Sequence, residues 1–116
     1  MSDQTASVSE LKAWVAAFVA ERDWQQFHDP KNLAASIMIE TAELMEHFQW
    51  LRSDELDSVR QDPARMQQVR EEVADVLAFL LSFANAMHID LSDALRDKLK
   101  KNAEKYPVDR FRGRFR

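Results

Sequence analysis

An all-α fold, four substantial helices joined by short links into a four-helix bundle, is what this 116-residue sequence predicts. Three observations carry the expectation. Glycine occurs once, at Gly113, although sheet proteins need several tight turns and such turns usually need glycine at positive φ. The chain is rich in Ala, Leu, Glu, Gln, Lys and Arg, the good helix formers. Helix start signals also recur along the chain, each followed by apolar residues at helical spacing.

The first helix opens on Ser7, an N-cap with Glu10 at capping-box spacing, and carries Leu11, Trp14, Val15, Phe18 and Val19 on one stripe to about Gln26. Asp29-Pro30, a capping acid followed by proline at the first helical position, opens the second. That helix carries Leu33, Ile37, Thr41, Leu44, Met45 and Phe48 and is expected to end near Leu51. Ser53 caps a short helix through Leu56 and Val59. Asp62-Pro63 repeats the start signal for a long third helix reaching about His88. The last helix begins around Asp90 to Ser92 and stops at Pro107, since the residue before proline is driven out of the helical region. Residues 1–8 are expected to be a disordered N-terminus, 9–107 one domain, and 108–116 a basic tail with Arg110, Arg112, Arg114 and Arg116 against Asp109 alone. The tail reads as a solvated extension or a strap on an acidic neighbouring subunit. Trp14, Met38, Met45, Met66 and Met87 read as bundle core.

Composition removes several function classes. With no cysteine there is no disulfide, thiolate metal site or Cys nucleophile. A net charge of −4 argues against a dedicated nucleic-acid binder. The first nine residues lack a signal-peptide pattern, and no apolar run reaches the roughly 18 residues of a membrane span, so a cytoplasmic protein is the simplest reading. There is no Gly-x-x-x-x-Gly-Lys loop, so any phosphate must be held by metals and side chains.

The third helix is the informative one. From Val73 to Met87 it is apolar on every face except at Asp75, Ser82 and Asn85. Such a helix is expected in a bundle centre or an oligomer interface, where ionised Asp75, one turn after Glu72, needs a positive partner. Glu40 and Glu43 share a face of the second helix as Glu72 and Asp75 do of the third. Antiparallel packing of these helices would gather four carboxylates. All-oxygen ligation selects Mg²⁺, with Mn²⁺ as substitute, over zinc. A solvated helix face is the bland alternative for any single acid pair. A di-iron bundle is set aside because no histidine follows a glutamate by three.

Glu40-x-x-Glu43 followed by Glu72-x-x-Asp75 resembles the metal-binding pattern of the MazG-like, all-α nucleotide pyrophosphohydrolases. Within them the chain is most similar to the dCTP pyrophosphatases. The likeness is carried by Glu21 to His28 (with Trp24), Asn32-Leu33, Phe48-Gln49-Trp50, Lys98, Asn102 and Tyr106-Pro107, and it extends from about Leu11 to Pro107. The resemblance implies a bundle completed by oligomerisation as a homodimer or homotetramer. It implies magnesium on Glu40, Glu43, Glu72 and Asp75, and Trp24, His28 and Trp50 around a base. Hydrolysis of a deoxynucleoside triphosphate, dCTP or a modified dCTP, to monophosphate and pyrophosphate is the implied reaction. Lys98 and Asn102, with Lys105 as a further candidate, would meet the β and γ oxygens, and Glu43 is the expected general base. Phe79 stands where the dCTP-specific relatives carry Tyr, which bears on sugar or base discrimination. The competing expectations are a non-catalytic helical dimerisation module and a relative acting on phosphoribosyl-ATP or dUTP; Trp24, His28 and Trp50 speak against the latter.

Overall fold

The computed structural model describes residues 1–115. Arg116, the last arginine of the basic tail, lies outside them. Among the described residues there are six α-helices and no strand: α1 Val8–Glu21, α2 Pro30–Glu46, α3 Asp57–Gln61, α4 Pro63–Met87, α5 Leu91–Lys105 and α6 Val108–Phe111. Short 3₁₀ turns at Gln25–Phe27 and Ser53–Glu55 precede α2 and α3.

The starts follow the capping chemistry. Ser7 Oγ accepts from the Glu10 amide at 3.1 Å, Asp29 Oδ1 from the Asn32 amide at 2.8 Å, and Asp62 Oδ1 from the Ala64 amide at 3.1 Å. Pro30 and Pro63 occupy the first helical positions. At the N-terminus the Thr5 amide donates to the Ser2 carbonyl at 3.0 Å, which closes a turn.

The ends of α1 and α2 depart from expectation, whereas α4 ends where expected. α1 stops at Glu21, well short of Gln26, because Asp23 adopts φ 53° and the Trp24 amide turns back to the Val19 carbonyl at 3.0 Å. Aspartate is one of the few residues that visit this left-handed region readily. α2 ends at Glu46, and His47 to Trp50 form a turn. α4 ends at Met87 on His88, held at φ 55° as the Ile89 amide returns to the Ala84 carbonyl. α6 lies in the expected tail, with the Phe111 ring edge-on to Tyr106 at 5.1 Å.

Packing centres on α4. α2 lies against it most extensively, followed by α1 and α3. Leu33 of α2, Val19 of α1, Val59 of α3 and Leu81 and Ala84 of α4 form the buried core. Polar ties add to it: Lys12 Nζ donates to the Ile89 carbonyl at 2.7 Å, and Asn85 Nδ2 to the Lys12 carbonyl at 3.1 Å. α5 is not among the closely packed pairs and leaves α4 at a bend of 99°. No single helix among the described residues is long and apolar enough to cross a membrane.

The chain is therefore open. Its radius of gyration is 17.3 Å, against about 13 Å for a compact domain of this length. Met38, Met45 and Met87, read from sequence as core, are 72%, 58% and 49% exposed. Trp14 is 51% exposed, and Val73, Leu77 and Leu80 of α4 are uncovered as well. These residues do sit on apolar stripes, but one chain lacks a helix to lay over them.

Candidate active site

Packing of α2 on α4 brings Glu40, Glu43 and Glu72 together, with one carboxylate oxygen of each within 4.8 Å of the others. Glu43 stands at the centre, within hydrogen-bonding reach of both Glu40 and Glu72. Burial first, and then the charge of Glu43, pushes Glu40 up from 4.5 to about 7. Glu72 is raised by the same causes, and nearby His47 opposes the shift. One oxygen of Glu40 and one of Glu72, both Oε2, are buried without a hydrogen-bond partner. Buried carboxylate oxygens left unpaired are costly, and three acids this close repel one another. A divalent cation relieves both penalties, and a donor set made only of oxygens suits Mg²⁺ or Mn²⁺.

Asp75 is outside that group of three. It is exposed, although its charge still reaches Glu40 and Glu72. Its side chain helps to line an adjoining cavity of about 400 Å³ between α1, α4 and the turn after α1. That is the size of a small-molecule site. The wall is aromatic: Trp14, Phe18, Trp24 and Phe79. The rings form a chain, Phe18 to Trp24 at 5.8 Å, Trp24 to His28 at 6.3 Å and His28 to Phe79 at 6.3 Å. The early end of α1 builds this wall, since the left-handed turn at Asp23 folds Trp24 back toward Phe18. Asn32 Nδ2 fixes the far side of the turn by donating to the Phe27 carbonyl at 3.3 Å and to Asp29 Oδ2 at 3.0 Å. His28 Nδ1 is buried with no partner.

Residues 35–114 match the profile of the MazG-like family. The chain belongs to this family. It is 37% identical over 107 residues to dCTP pyrophosphatase 1 of Mus musculus, covering 92% of this chain and 63% of that protein. The corresponding Homo sapiens protein is 35% identical over 102 residues, 88% of this chain and 60% of its own length. The chain thus spans under two thirds of the curated relatives it matches. A crystal structure of a pyrophosphatase from Archaeoglobus fulgidus DSM 4304 superposes with a TM-score of 0.82 at 42% identity, covering 92% of this chain and 98% of that one.

In this MazG-like chain the expected site residues divide into those the fold gathers and those it leaves apart. Glu40, Glu43 and Glu72 meet, Asp75 stands between them and the cavity, and Trp24, His28 and Phe79 face the cavity. Trp50 does not; it is 86% exposed on the turn after α2. Lys98 and Lys105 are exposed on α5 and Asn102 is half-buried there. Neither lysine is among the charges acting on Glu40 or Glu72. Trp14 and Phe18 line the cavity instead of filling a core; their spacing of four, just ahead of Trp24, was the available signal. His47, just past the end of α2, stands near enough to Glu72 to influence its proton. Nothing in the helical pattern separates it from an ordinary C-cap residue.

Proposed function

We propose that this chain is a Mg²⁺-dependent nucleoside triphosphate pyrophosphohydrolase that splits dCTP, or a modified dCTP, into monophosphate and pyrophosphate. The observation that carries the reading is the carboxylate group with its two unpartnered buried oxygens directly beside an aromatic cavity. The names of the relatives support it. Glu40, Glu43, Glu72 and Asp75 hold the cation. When bound, Mg²⁺ (or Mn²⁺ in its place) neutralises the triphosphate oxygens and polarises water. Trp24 and Phe79 enclose the base and His28 meets its edge. Glu43, the centre of the acid group, takes a proton from the attacking water. The water oxygen bonds to the α-phosphorus as the bond to the α–β bridging oxygen breaks, and pyrophosphate leaves.

The reading includes a homodimer or homotetramer. Large apolar side chains stand uncovered on α2 and α4, and α5 extends away from its own chain. A second copy would cover those faces and bring Trp50, Lys98, Asn102 and Lys105 to a site, the last three toward the β and γ oxygens. The place of this catalytic domain is the cytoplasm.

Purified protein incubated with each dNTP, with Mg²⁺ and with EDTA, tests the proposal. Pyrophosphate and monophosphate in equal amounts, fastest from dCTP or its modified forms and only with the metal, are expected. No metal-dependent release from any nucleotide would leave a non-catalytic helical module in its place.

A further inference from the structure

Ser82 is the one buried polar side chain among the described residues, at 8% exposure. It sits in the last third of α4, in the stretch that also contributes Leu81 and Ala84 to the core. A serine inside a helix usually quiets its hydroxyl by donating to a carbonyl three or four residues back. Thr41 and Ser58 do so here, to Met38 at 2.8 Å and to Glu55 at 2.6 Å. Ser82 makes no such bond among the described residues. Its hydroxyl is therefore left free on the wall of the cavities this nearly buried residue lines, available to a group that enters them.

The surroundings indicate what arrives. Ser82 lines the aromatic cavity, and with His28 it also lines a second cavity of about 290 Å³ carrying the Gln25 and Asn85 side chains. His28, which lines both cavities, has its Nδ1 buried with no partner. Phe79, one turn before Ser82 on α4, offers the cavity no hydrogen bond. A nucleobase clasped by aromatic rings buries its heteroatoms as well as its faces, and those heteroatoms need donors or acceptors inside the wall.

We propose that Ser82 is a specificity-determining residue: its hydroxyl, beside His28 Nδ1, hydrogen-bonds the polar edge of the nucleobase held in the aromatic cavity. The assignment rests on the reading of the cavity as a base site. It places discrimination between bases on α4, at a position outside the acid pattern and one turn from Phe79. Stacking is tolerant of base identity, because every base has a face. A hydrogen-bonding site is not, because the wrong edge leaves buried groups unpaired.

The test is Ser82→Ala, compared with the unaltered protein on dCTP, dTTP, dATP and dGTP with Mg²⁺, together with the metal- and nucleotide-free melting midpoint. The ratio of kcat/KM for the preferred base to that for the next should fall about tenfold, the scale of one neutral hydrogen bond. The melting midpoint should stay level or rise, since the hydroxyl has no partner in the free chain. An unchanged ratio, or an equal loss on all four nucleotides, overturns the proposal. So does a lowered midpoint, which would give the hydroxyl a structural partner instead. If the unaltered protein releases pyrophosphate from none of the four, the base-site reading itself fails and the proposal falls with it. A base preference that survives Ser82→Ala would leave the enzymatic reading intact and remove only Ser82.

Discussion

Replacing Glu43 by glutamine should stabilise the metal-free protein while removing its activity, a combination that a purely structural residue does not give. Glu43 lies within 4.8 Å of Glu40 and Glu72 and raises the proton affinity of both. For the Glu40–Glu43 pair, two full charges at that separation repel by about 0.9 kcal/mol at the dielectric constant of water and about 3.5 kcal/mol at an effective value near 20. The site opens to a cavity, and Glu40, at about 7, is only partly ionised near neutral pH, so the relief belongs at the low end, ~1 kcal/mol. That corresponds to a melting midpoint about 4 °C higher for Glu43→Gln in EDTA. Calorimetry at pH 7.5, with and without Mg²⁺, measures it. The unaltered protein should gain stability from saturating Mg²⁺, about 2.7 kcal/mol at a hundred times Kd, and the variant should gain far less. Pyrophosphate release should fall on the order of 10²- to 10⁴-fold, the contribution of a general base. A variant that melts lower in EDTA, or that keeps the full Mg²⁺ response, would refute the reasoning.

Acid should stabilise the metal-free protein and weaken its hold on cations. Glu40 and Glu72 are raised above 4.5, so the folded chain binds protons more tightly than the unfolded one. The contribution of Glu40 is fully present below about pH 4.5 and is lost as pH rises through about 7, and that of Glu72 is likewise lost as pH rises above the ordinary glutamate range. Melting midpoints in EDTA that climb steadily from pH 5 to pH 8 would contradict this. Trp24→Ala should raise KM several-fold to a hundredfold with a small change in kcat, because stacking is ground-state binding too; steady-state kinetics on dCTP decides it. Trp50→Ala should leave the fold intact by circular dichroism, given its 86% exposure, and raise KM more than it lowers kcat. A pure kcat defect would point away from base binding. Leu33→Ala, at a position 1% exposed, should cost about 2–5 kcal/mol in denaturant unfolding.

The helix starts were legible because they are local: Ser7, Asp29-Pro30 and Asp62-Pro63 state their chemistry within four residues. The ends were less so. Nothing in Glu21 to Gln26 announces that Asp23 will turn left-handed, yet that turn folds Trp24 and His28 into the cavity wall. Spacing on α2 and α4 was enough to group Glu40, Glu43 and Glu72, whereas the place of Asp75 depends on the rotation of α4 against α2, which no pattern of spacing encodes. Periodicity marked the methionines as apolar-face residues, but it does not say which chain covers the face; Met38 and Met45 are bare in a single copy. Ser82 showed only as an interruption in an apolar run, and its significance lies in the cavities on either side of it.

Titration of Mn²⁺ into metal-free protein at pH 7, in two buffers of different ionisation enthalpy, reaches the carboxylate site without depending on any nucleotide. With Glu40 at about 7, cation binding should expel about half a proton from that group, so the measured heat should change with the buffer, and Glu43→Gln should abolish most of it. Absent binding, or a heat that neither follows the buffer nor responds to Glu43→Gln, would contradict the account.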